Sequence, residues 1–174
     1  RTRQVVGSPA EENGPAWAPD GKGFSYASTI GRETEIYYKA LDAAEPTLLV
    51  PASAKVWAID TFFSKDGSKV YFIGMKDGKR MLGAVNRAGG AMEVVLDDLG
   101  GFLAMNGVVL TPDGKSLVVV KVAGDGSPAL WTSTPPGAAP VKLEGAPVMD
   151  PAVGRCYLRF SPDGKKLLAT TSGS

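Results

Sequence analysis

Carboxylates and a single thiol are the side chains of this sequence that could carry chemistry. Asp97 and Asp98 are neighbours, and paired carboxylates can serve acid–base catalysis. Four other aspartates, Asp20, Asp66, Asp113 and Asp163, each precede a glycine inside a phrase that the chain repeats. No alternating acidic residues of the calcium-loop kind surround these four. We therefore expect them to cap turns, and we expect the neighbouring pair to face water in a loop.

Most catalytic and cofactor motifs are absent from the sequence. It has no histidine, which excludes Ser-His-Asp and Cys-His units and zinc sites with histidine ligands. It also lacks a P-loop and a G-x-S-x-G segment. "GDGSPA" (Gly124–Ala129) matches a dinucleotide fingerprint as letters, but a strand rather than a helix follows it. We predict no catalytic residue, no cofactor and no metal, and hence no enzyme activity in this chain.

Cys156 is the one cysteine, so no internal disulfide can form. A reactive thiol needs a positive neighbour that lowers its pKa, and Arg155 is adjacent in sequence. Adjacent strand residues point to opposite faces, which weakens that help. We predict a buried structural cysteine.

Composition narrows the class of protein. The chain has 174 residues, of which 44% are hydrophobic, so it can bury a core as one domain. Its net charge of +1 argues against a nucleic-acid or membrane-surface protein. No apolar run approaches the roughly 18 residues that a membrane span needs.

Nearly the same phrase occurs four times along the chain. The copies are "AWAPDGKGFSYAS" (Ala16–Ser28), "FFSKDGSKVYFIG" (Phe62–Gly74), "VLTPDGKSLVVVK" (Val109–Lys121) and "RFSPDGKKLLATT" (Arg159–Thr171). Their turn aspartates are separated by 46, 47 and 50 residues, a period typical of propellers and solenoids. In each copy a large apolar residue lies three positions before the aspartate, and apolar residues follow at four and six positions after it. Positions four and six share one face of a strand.

The turn chemistry explains the repeated letters. Proline presets φ for a turn, aspartate accepts hydrogen bonds from nearby amides, and glycine takes the positive φ that closes the hairpin. The second copy has Lys65 in place of proline and keeps Asp-Gly. The predicted structural turn residues are Asp20 with Gly21, Asp66 with Gly67, Asp113 with Gly114, and Asp163 with Gly164.

Two further strand-like runs follow each of the first three copies. Each unit is therefore four short strands, and no segment has convincing helical periodicity. Four strands per repeat indicate a propeller blade. We predict an all-β fold, a β-propeller built of four-stranded antiparallel blades, with about three and a half blades present. The charged loops "GRETE" (Gly31–Glu35) and "MKDGKR" (Met75–Arg80) are expected to be solvated hairpin tips.

The phrases "SPDGKKL", "TPDGKSL" and "APDGKGF", with strands such as "IYYKALDA", resemble the WD-like repeats of TolB-type bacterial β-propellers. The resemblance covers essentially the whole chain. It implies a periplasmic or extracytoplasmic location, and it implies that the segment before each turn is the innermost strand of a blade. The histidine-containing signature of many eukaryotic WD repeats is absent, which favours the bacterial branch.

The expected organisation is a single partial propeller domain over residues 1–174. The blades are predicted at 14–50, 57–96 and 102–143, with an incomplete blade at 153–174. Residues 1–6, containing "TRQVV" (Thr2–Val6), would supply an outer strand. That strand either closes a four-bladed ring or belongs to a preceding blade of a larger propeller. We favour the larger propeller, which makes the chain a fragment that self-associates or binds its missing half.

Propellers bind partners through loops at one rim, and those loops include Arg32 and Lys55. The predicted partner-binding residues come from the same loops and the inner strands: Trp57, Asp60, Phe102, Asn106, Arg155 and Tyr157. Trp57 with Asp60 is the first choice, since an aromatic beside a polar group can anchor a partner. The alternative is that Trp57 only packs between blades.

Two functions fit these patterns. The first is a non-catalytic module for protein interaction or sensing, with a protein or peptide partner. The second is the accessory, substrate-gating propeller of a prolyl-oligopeptidase-type serine peptidase whose catalytic domain lies elsewhere.

Overall fold

The computed structural model describes residues 10–99, 107–122, 127–146 and 153–173. In these ranges the chain forms β-strands and one short 3-10 turn, Ala52–Ala54, and no α-helix. The strands, in chain order, are β1 Glu11–Trp17, β2 Gly23–Ile30, β3 Glu33–Ala40, β4 Thr47–Val50, β5 Trp57–Phe63, β6 Lys69–Lys76, β7 Lys79–Asn86, β8 Glu93–Leu96, β9 Val108–Leu110, β10 Leu117–Val122, β11 Pro128–Ser133, β12 Val141–Lys142, β13 Val153–Phe160 and β14 Leu167–Gly173.

The strands form sheets in simple chain order. Among the described strands, three sheets have four strands each, namely β1 to β4, β5 to β8 and β9 to β12, and β13 pairs with β14 in a two-stranded sheet. Sequential antiparallel strands of this length are the construction of a propeller blade. The predicted all-β fold with about three and a half blades is confirmed. Thr2–Val6 lies outside the described residues.

The repeat register is the same in all four sheets. In each, the apolar residue three before the turn aspartate pairs with the residue four after it. The pairs are Trp17 with Phe24, Phe63 with Val70, Leu110 with Leu117, and Phe160 with Leu167. A two-residue period then places every second residue of the following strand on one face.

Burial along that face differs between the repeats. In the second and third sheets, Val70, Phe72, Leu117 and Val119 are fully buried. In the first sheet Trp17 is 66% exposed, although its ring meets the ring of Phe24 edge to face. The repeated letters therefore fix pairing more strictly than they fix burial.

The chain forms two compact units, each with its own core. The first unit comprises residues 1–76 with 83–93, and its fully buried side chains include Ile36, Val50 and Phe72. The second comprises residues 77–82 with 94–174, and Val118, Val120, Leu130, Cys156 and Leu158 form one buried cluster there. Full burial of each large aliphatic side chain contributes about 1.5–3 kcal/mol.

The four Asp-Gly turns of the repeated phrase share one geometry. The glycines have φ of 68°, 71°, 77° and 71°, in the left-handed region that glycine adopts without strain. Each glycine N–H donates to the carbonyl three residues earlier, at 2.8–2.9 Å. Each aspartate accepts a hydrogen bond from the N–H two residues later, at 3.0–3.1 Å.

One loop prediction is wrong in part. Met75–Arg80 was expected to be a solvated hairpin tip, and Asp77 and Gly78 do form an exposed two-residue turn with φ of 50° and 76°. Arg80, however, is only 1% exposed. A guanidinium is buried only where acceptors meet it, and here the carbonyl oxygens of Leu99 and Val120 accept from its Nη2.

Candidate binding cleft beside Trp57

A cleft of about 480 Å³ opens where the first sheet meets the start of β5. Its lining combines a hairpin turn, a linker and two strand ends: Arg32, Glu33, Thr34, Ala52, Ser53, Lys55, Val56, Trp57 and Met75. A second hollow of about 370 Å³ is lined by Gly31, Arg32 and Trp57. Because both hollows share Arg32 and Trp57, these side chains stand between two concave surfaces.

The β2–β3 hairpin positions Arg32. Ile30 pairs with Glu33, so only Gly31 and Arg32 make the turn. Gly31 has a φ of 64°, which suits the first position of a tight two-residue hairpin. Below the turn, the hydroxyls of Thr29 and Thr34 lie 3.1 Å apart in a hydrogen bond. The turn is therefore braced, and the exposed Arg32 side chain projects from a defined backbone.

The linker between β4 and β5 positions Lys55. The Lys55 N–H donates to the carbonyl of Ala52 at 2.9 Å, and the Ala54 N–H donates to the carbonyl of Pro51 at 3.0 Å. Lys55 itself has a φ of 53°, a left-handed conformation that is uncommon for a side-chain-bearing residue. Such conformations persist where the surrounding structure enforces them, and they are frequent at functional sites.

Trp57 opens β5 and pairs with Met75 of β6. Its neighbours Val56 and Ala58 are buried, whereas Trp57 is 40% exposed. Gly74 lies so close that a Cβ there would come within 2.7 Å of Val56 Cγ1 and 3.0 Å of the Trp57 carbonyl oxygen. The backbone of Trp57 therefore packs closely against β6, and its side chain lines the cleft from the end of a strand.

The charged side chains of the cleft are two cations, Arg32 and Lys55, and one carboxylate, Glu33. All three residues are exposed. The ion pairs found among the described residues lie elsewhere, between Lys69 and Glu93 and between Arg87 and Asp20. The lining therefore carries a net positive charge that no described side chain neutralises by direct pairing.

Asp60 shares a face with Trp57 but does not line the cleft. Trp57 pairs with Met75 of β6, and Asp60 pairs with Ile73, two residues away on the same strand. A bulge between Ala58 and Asp60 produces this register and so brings Trp57 and Asp60 to one face of the sheet. Further along β5, Asp60 meets the backbone of Gly14, where an added Cβ would lie 2.5 Å from the Asp60 Cα. Its Oδ1 accepts a hydrogen bond from the Thr61 N–H at 3.0 Å. Asp60 of β5 therefore packs against β1, outside the lining of the cleft.

A buried polar contact fixes β5 against the first sheet. The Thr61 hydroxyl donates to the carbonyl of Gly14 at 2.7 Å and lies 2.8 Å from the hydroxyl of Ser25. Thr61 is 3% exposed and Ser25 is fully buried. Because β5 begins at Trp57, this contact also sets where the indole stands relative to β2 and β3.

Among the other predicted partner residues, those whose side chains the structure describes do not line this cleft. Phe102 and Asn106 lie outside the described residues. Arg155 pairs through its backbone with Ser172, and its side chain is outside the described part. Tyr157 is half-buried in β13, opposite Thr170. Among the predicted residues whose side chains the structure describes, Trp57 is the one that lines the cleft.

Local hydrogen bonds stabilise the charged form of the exposed turn aspartates, as expected for residues that cap turns. Hydrogen bonds from the Ser64 hydroxyl, and then from the Ser68 N–H, lower the pKa of Asp66 to about 2. The Ser161 hydroxyl likewise lowers the pKa of Asp163. In the first repeat Ala18 replaces the hydroxyl residue, and Arg87 Nη1 donates to Asp20 Oδ2 at 2.7 Å instead. No group of three or more potential metal-ligating side chains occurs in the described ranges.

Arg80 and Cys156 occupy the interior of the second unit. Burial lowers the pKa of Arg80 to about 10, and burial raises the pKa of the Cys156 thiol. Cys156 is 1% exposed, so its thiol stays protonated and shielded from reagents. The cation whose charge acts on Cys156 is Arg80, which no sequence pattern had indicated.

No helix in the described part of the chain has the length and apolar character that a membrane crossing requires.

Comparison with known proteins supports the fold. No protein-family model matches the sequence, and no curated protein matches it significantly. The structure is similar to TolB from Acinetobacter baumannii, with a TM-score of 0.69 and 20% identity over 98% of this chain and 40% of that one. It is also similar to puromycin hydrolase, with a TM-score of 0.73 and 16% identity over 98% of this chain and 27% of that one. A puromycin-hydrolyzing peptidase of Mycobacterium tuberculosis matches with a TM-score of 0.69 and 19% identity over 90% of this chain and 24% of that one.

These identities establish the fold, and the resemblance to TolB-type propellers is confirmed at that level. The chain spans well under half of each of these three structures. They are a TolB protein, a hydrolase and a peptidase, so the fold by itself does not decide the function of this chain.

Proposed function

We propose that the chain is a non-catalytic propeller binding module that engages a protein or peptide partner through the cleft beside Trp57. The observation that carries the proposal is Trp57 itself, which is 40% exposed at the start of β5 and lines both hollows together with Arg32. Large aromatic side chains on rigid supports are the usual anchors of interfaces, because they bury much area at little entropic cost.

The size and position of the cleft support this role. A volume of about 480 Å³ lies within the roughly 300–1,000 Å³ range of ligand pockets. The cleft is built from a hairpin turn and a linker, and loops on a rigid scaffold are where binding residues concentrate. By its likeness in fold to TolB, we place the module in the extracytoplasmic space as part of the same proposal.

A peptide-display selection tests the proposal. The chain is used to select from a random peptide library, and the selected peptides are measured by fluorescence anisotropy against Trp57→Ala. We expect the substitution to weaken binding by about tenfold or more, the effect of losing an aromatic anchor. Trp17→Ala is the matched control, since Trp17 is also exposed but lies outside the cleft lining. If the selected peptides bind Trp57→Ala as tightly as they bind the Trp17→Ala control, the binding surface lies outside the cleft.

A second candidate function is the accessory propeller of a serine peptidase. Its support is the similarity to puromycin hydrolase and to the M. tuberculosis puromycin-hydrolyzing peptidase. The full reading frame that encodes this chain discriminates the two functions. A downstream G-x-S-x-G segment in a strand–helix context would favour the peptidase, and its absence would favour the binding module.

A further inference from the structure

We infer that the cleft beside Trp57 selects an acidic peptide, with carboxylates held by Arg32 and Lys55 and an adjacent apolar side chain stacked on the indole. This inference rests on the proposed function and names the class of partner that the site takes.

Charge complementarity is the first step of the argument. Arg32 and Lys55 approach the cleft from different elements, the β2–β3 turn and the β4–β5 linker. Neither has an ion-pair partner among the described residues, and the one carboxylate of the lining is Glu33. A ligand with two carboxylates therefore offers each of these two cations a group of opposite charge.

The indole supplies the apolar half of the site. Trp57 and Arg32 line both hollows, so a chain that crosses from one hollow to the other passes over these two side chains. The buried residues Thr34 and Val56 lie in the wall of the larger hollow. An apolar residue with acidic neighbours matches this set of groups, because the indole can contact the apolar side chain while the cations contact the carboxylates.

A peptide is favoured over a nucleic acid by the charge of the whole chain. Nucleic-acid binding draws on many phosphate contacts and a basic surface, whereas this chain has 19 basic and 18 acidic residues. Two cations beside one indole are enough for a short acidic segment. An oligonucleotide is therefore included in the test as a competing ligand.

The experiment measures binding of a short fluorescein-labelled peptide in which Glu-Phe-Glu is flanked by glycine and serine. Three matched probes carry Gln-Phe-Gln, Lys-Phe-Lys or Glu-Gly-Glu at the centre. Each probe is made with a free and with an amidated C-terminus, so that side-chain and terminal carboxylates are distinguished. A labelled oligothymidylate is the nucleic-acid arm.

We expect the acidic probe with phenylalanine to bind at least about fivefold more tightly than the neutral one. The basic probe should bind more weakly still, and raising the salt concentration from about 0.05 to about 0.5 M should reduce the preference. Arg32→Gln and Lys55→Gln should each weaken the acidic probe by about two- to fivefold and leave the neutral probe unchanged. Arg159→Gln and Lys165→Gln, at exposed positions outside the lining, are the controls.

Different outcomes overturn different claims. If neutral and acidic probes bind equally and both depend on Trp57, the acidic preference is wrong and the proposed binding module stands. If the oligonucleotide binds at least as tightly as the acidic probe through the same residues, the partner class is wrong. If neither these probes nor display-selected peptides depend on Trp57, the proposed site itself is wrong.

Discussion

Thr61→Val probes the contact that sets β5 against the first sheet. Valine matches threonine in shape, so the substitution removes the hydroxyl without opening a cavity. The lost group donates to the Gly14 carbonyl at 2.7 Å and lies 2.8 Å from the Ser25 hydroxyl. Ser25 is fully buried, and it is left without this hydrogen bond when the Thr61 hydroxyl is gone.

The magnitude follows from these two contacts. Loss of a neutral hydrogen bond costs about 0.5–1.5 kcal/mol, and a buried polar group left unsatisfied costs about 1–3 kcal/mol. The extra apolar surface of valine offsets about 1 kcal/mol of this. We expect the free energy of unfolding to fall by about 0.5–3.5 kcal/mol, with a central value of about 2 kcal/mol that lowers the melting temperature by about 4–8 °C.

Urea unfolding followed by tryptophan fluorescence measures the change. Hydrogen exchange at amides of β2 and β5 assigns it to the first unit, which contains all three partners. Ser25→Ala in the Thr61→Val background removes the orphaned hydroxyl and should recover about 1 kcal/mol. Thr47→Val, at an exposed position of β4, is the control and should stay within about 0.5 kcal/mol of the parent. The reasoning is refuted if Thr61→Val is no worse than this control, or if the effects at Ser25 and Thr61 simply add.

Three further predictions concern close packing, a turn carboxylate and the thiol. Gly83→Ala should lower the free energy of unfolding by about 1–3 kcal/mol, because its Cβ would clash with the Phe72 ring. In urea unfolding, Phe72→Leu in the Gly83→Ala background should restore part of this loss, and an unchanged free energy would count against the contact. The Asp66 pKa of about 2 lies below its ordinary 3.8, so the stability this carboxylate contributes is present above about pH 4 and is lost as the pH falls through about 2. Ser64→Ala should raise that pKa in an NMR titration, and an unchanged value would contradict the assigned cause. Native Cys156 should react with a thiol reagent only after unfolding, since it is 1% exposed, and rapid labelling of the folded chain would show that the site opens.

Strand pairing was predictable from the sequence because local chemistry determines it. An Asp-Gly turn of fixed length forces the residue three before the aspartate opposite the residue four after it. That register holds for Trp17 with Phe24 and for Phe160 with Leu167, at the two ends of the described chain. The repeated turn therefore predicts the pairing of the two strands beside it, even where the paired residues differ between copies.

Contacts that depend on distant strands were not predictable. Arg80 was assigned to a solvated tip because its neighbours are charged, yet its acceptors belong to Leu99 and Val120. Trp57 and Asp60 were expected to act together. A bulge does place them on one face, but the close approach of Gly14 takes Asp60 out of the cleft lining. Neither a bulge nor a close backbone approach between sheets has a reliable signature in the letters of a single strand.

The two ends of the strands carry different kinds of information. At one end, the turns that contain Asp20, Asp66, Asp113 and Asp163 repeat the same hydrogen bond from a backbone N–H to the aspartate. These hydrogen bonds stabilise the hairpins without a binding partner. At the other end the hairpin turns differ in charge: β2 and β3 are joined by Gly31 and Arg32, and β6 and β7 by Asp77 and Gly78. Hairpin turns vary in sequence more than the strands they join, and binding residues concentrate on such loops, so we direct the search for a partner to the Arg32 turn of the first sheet.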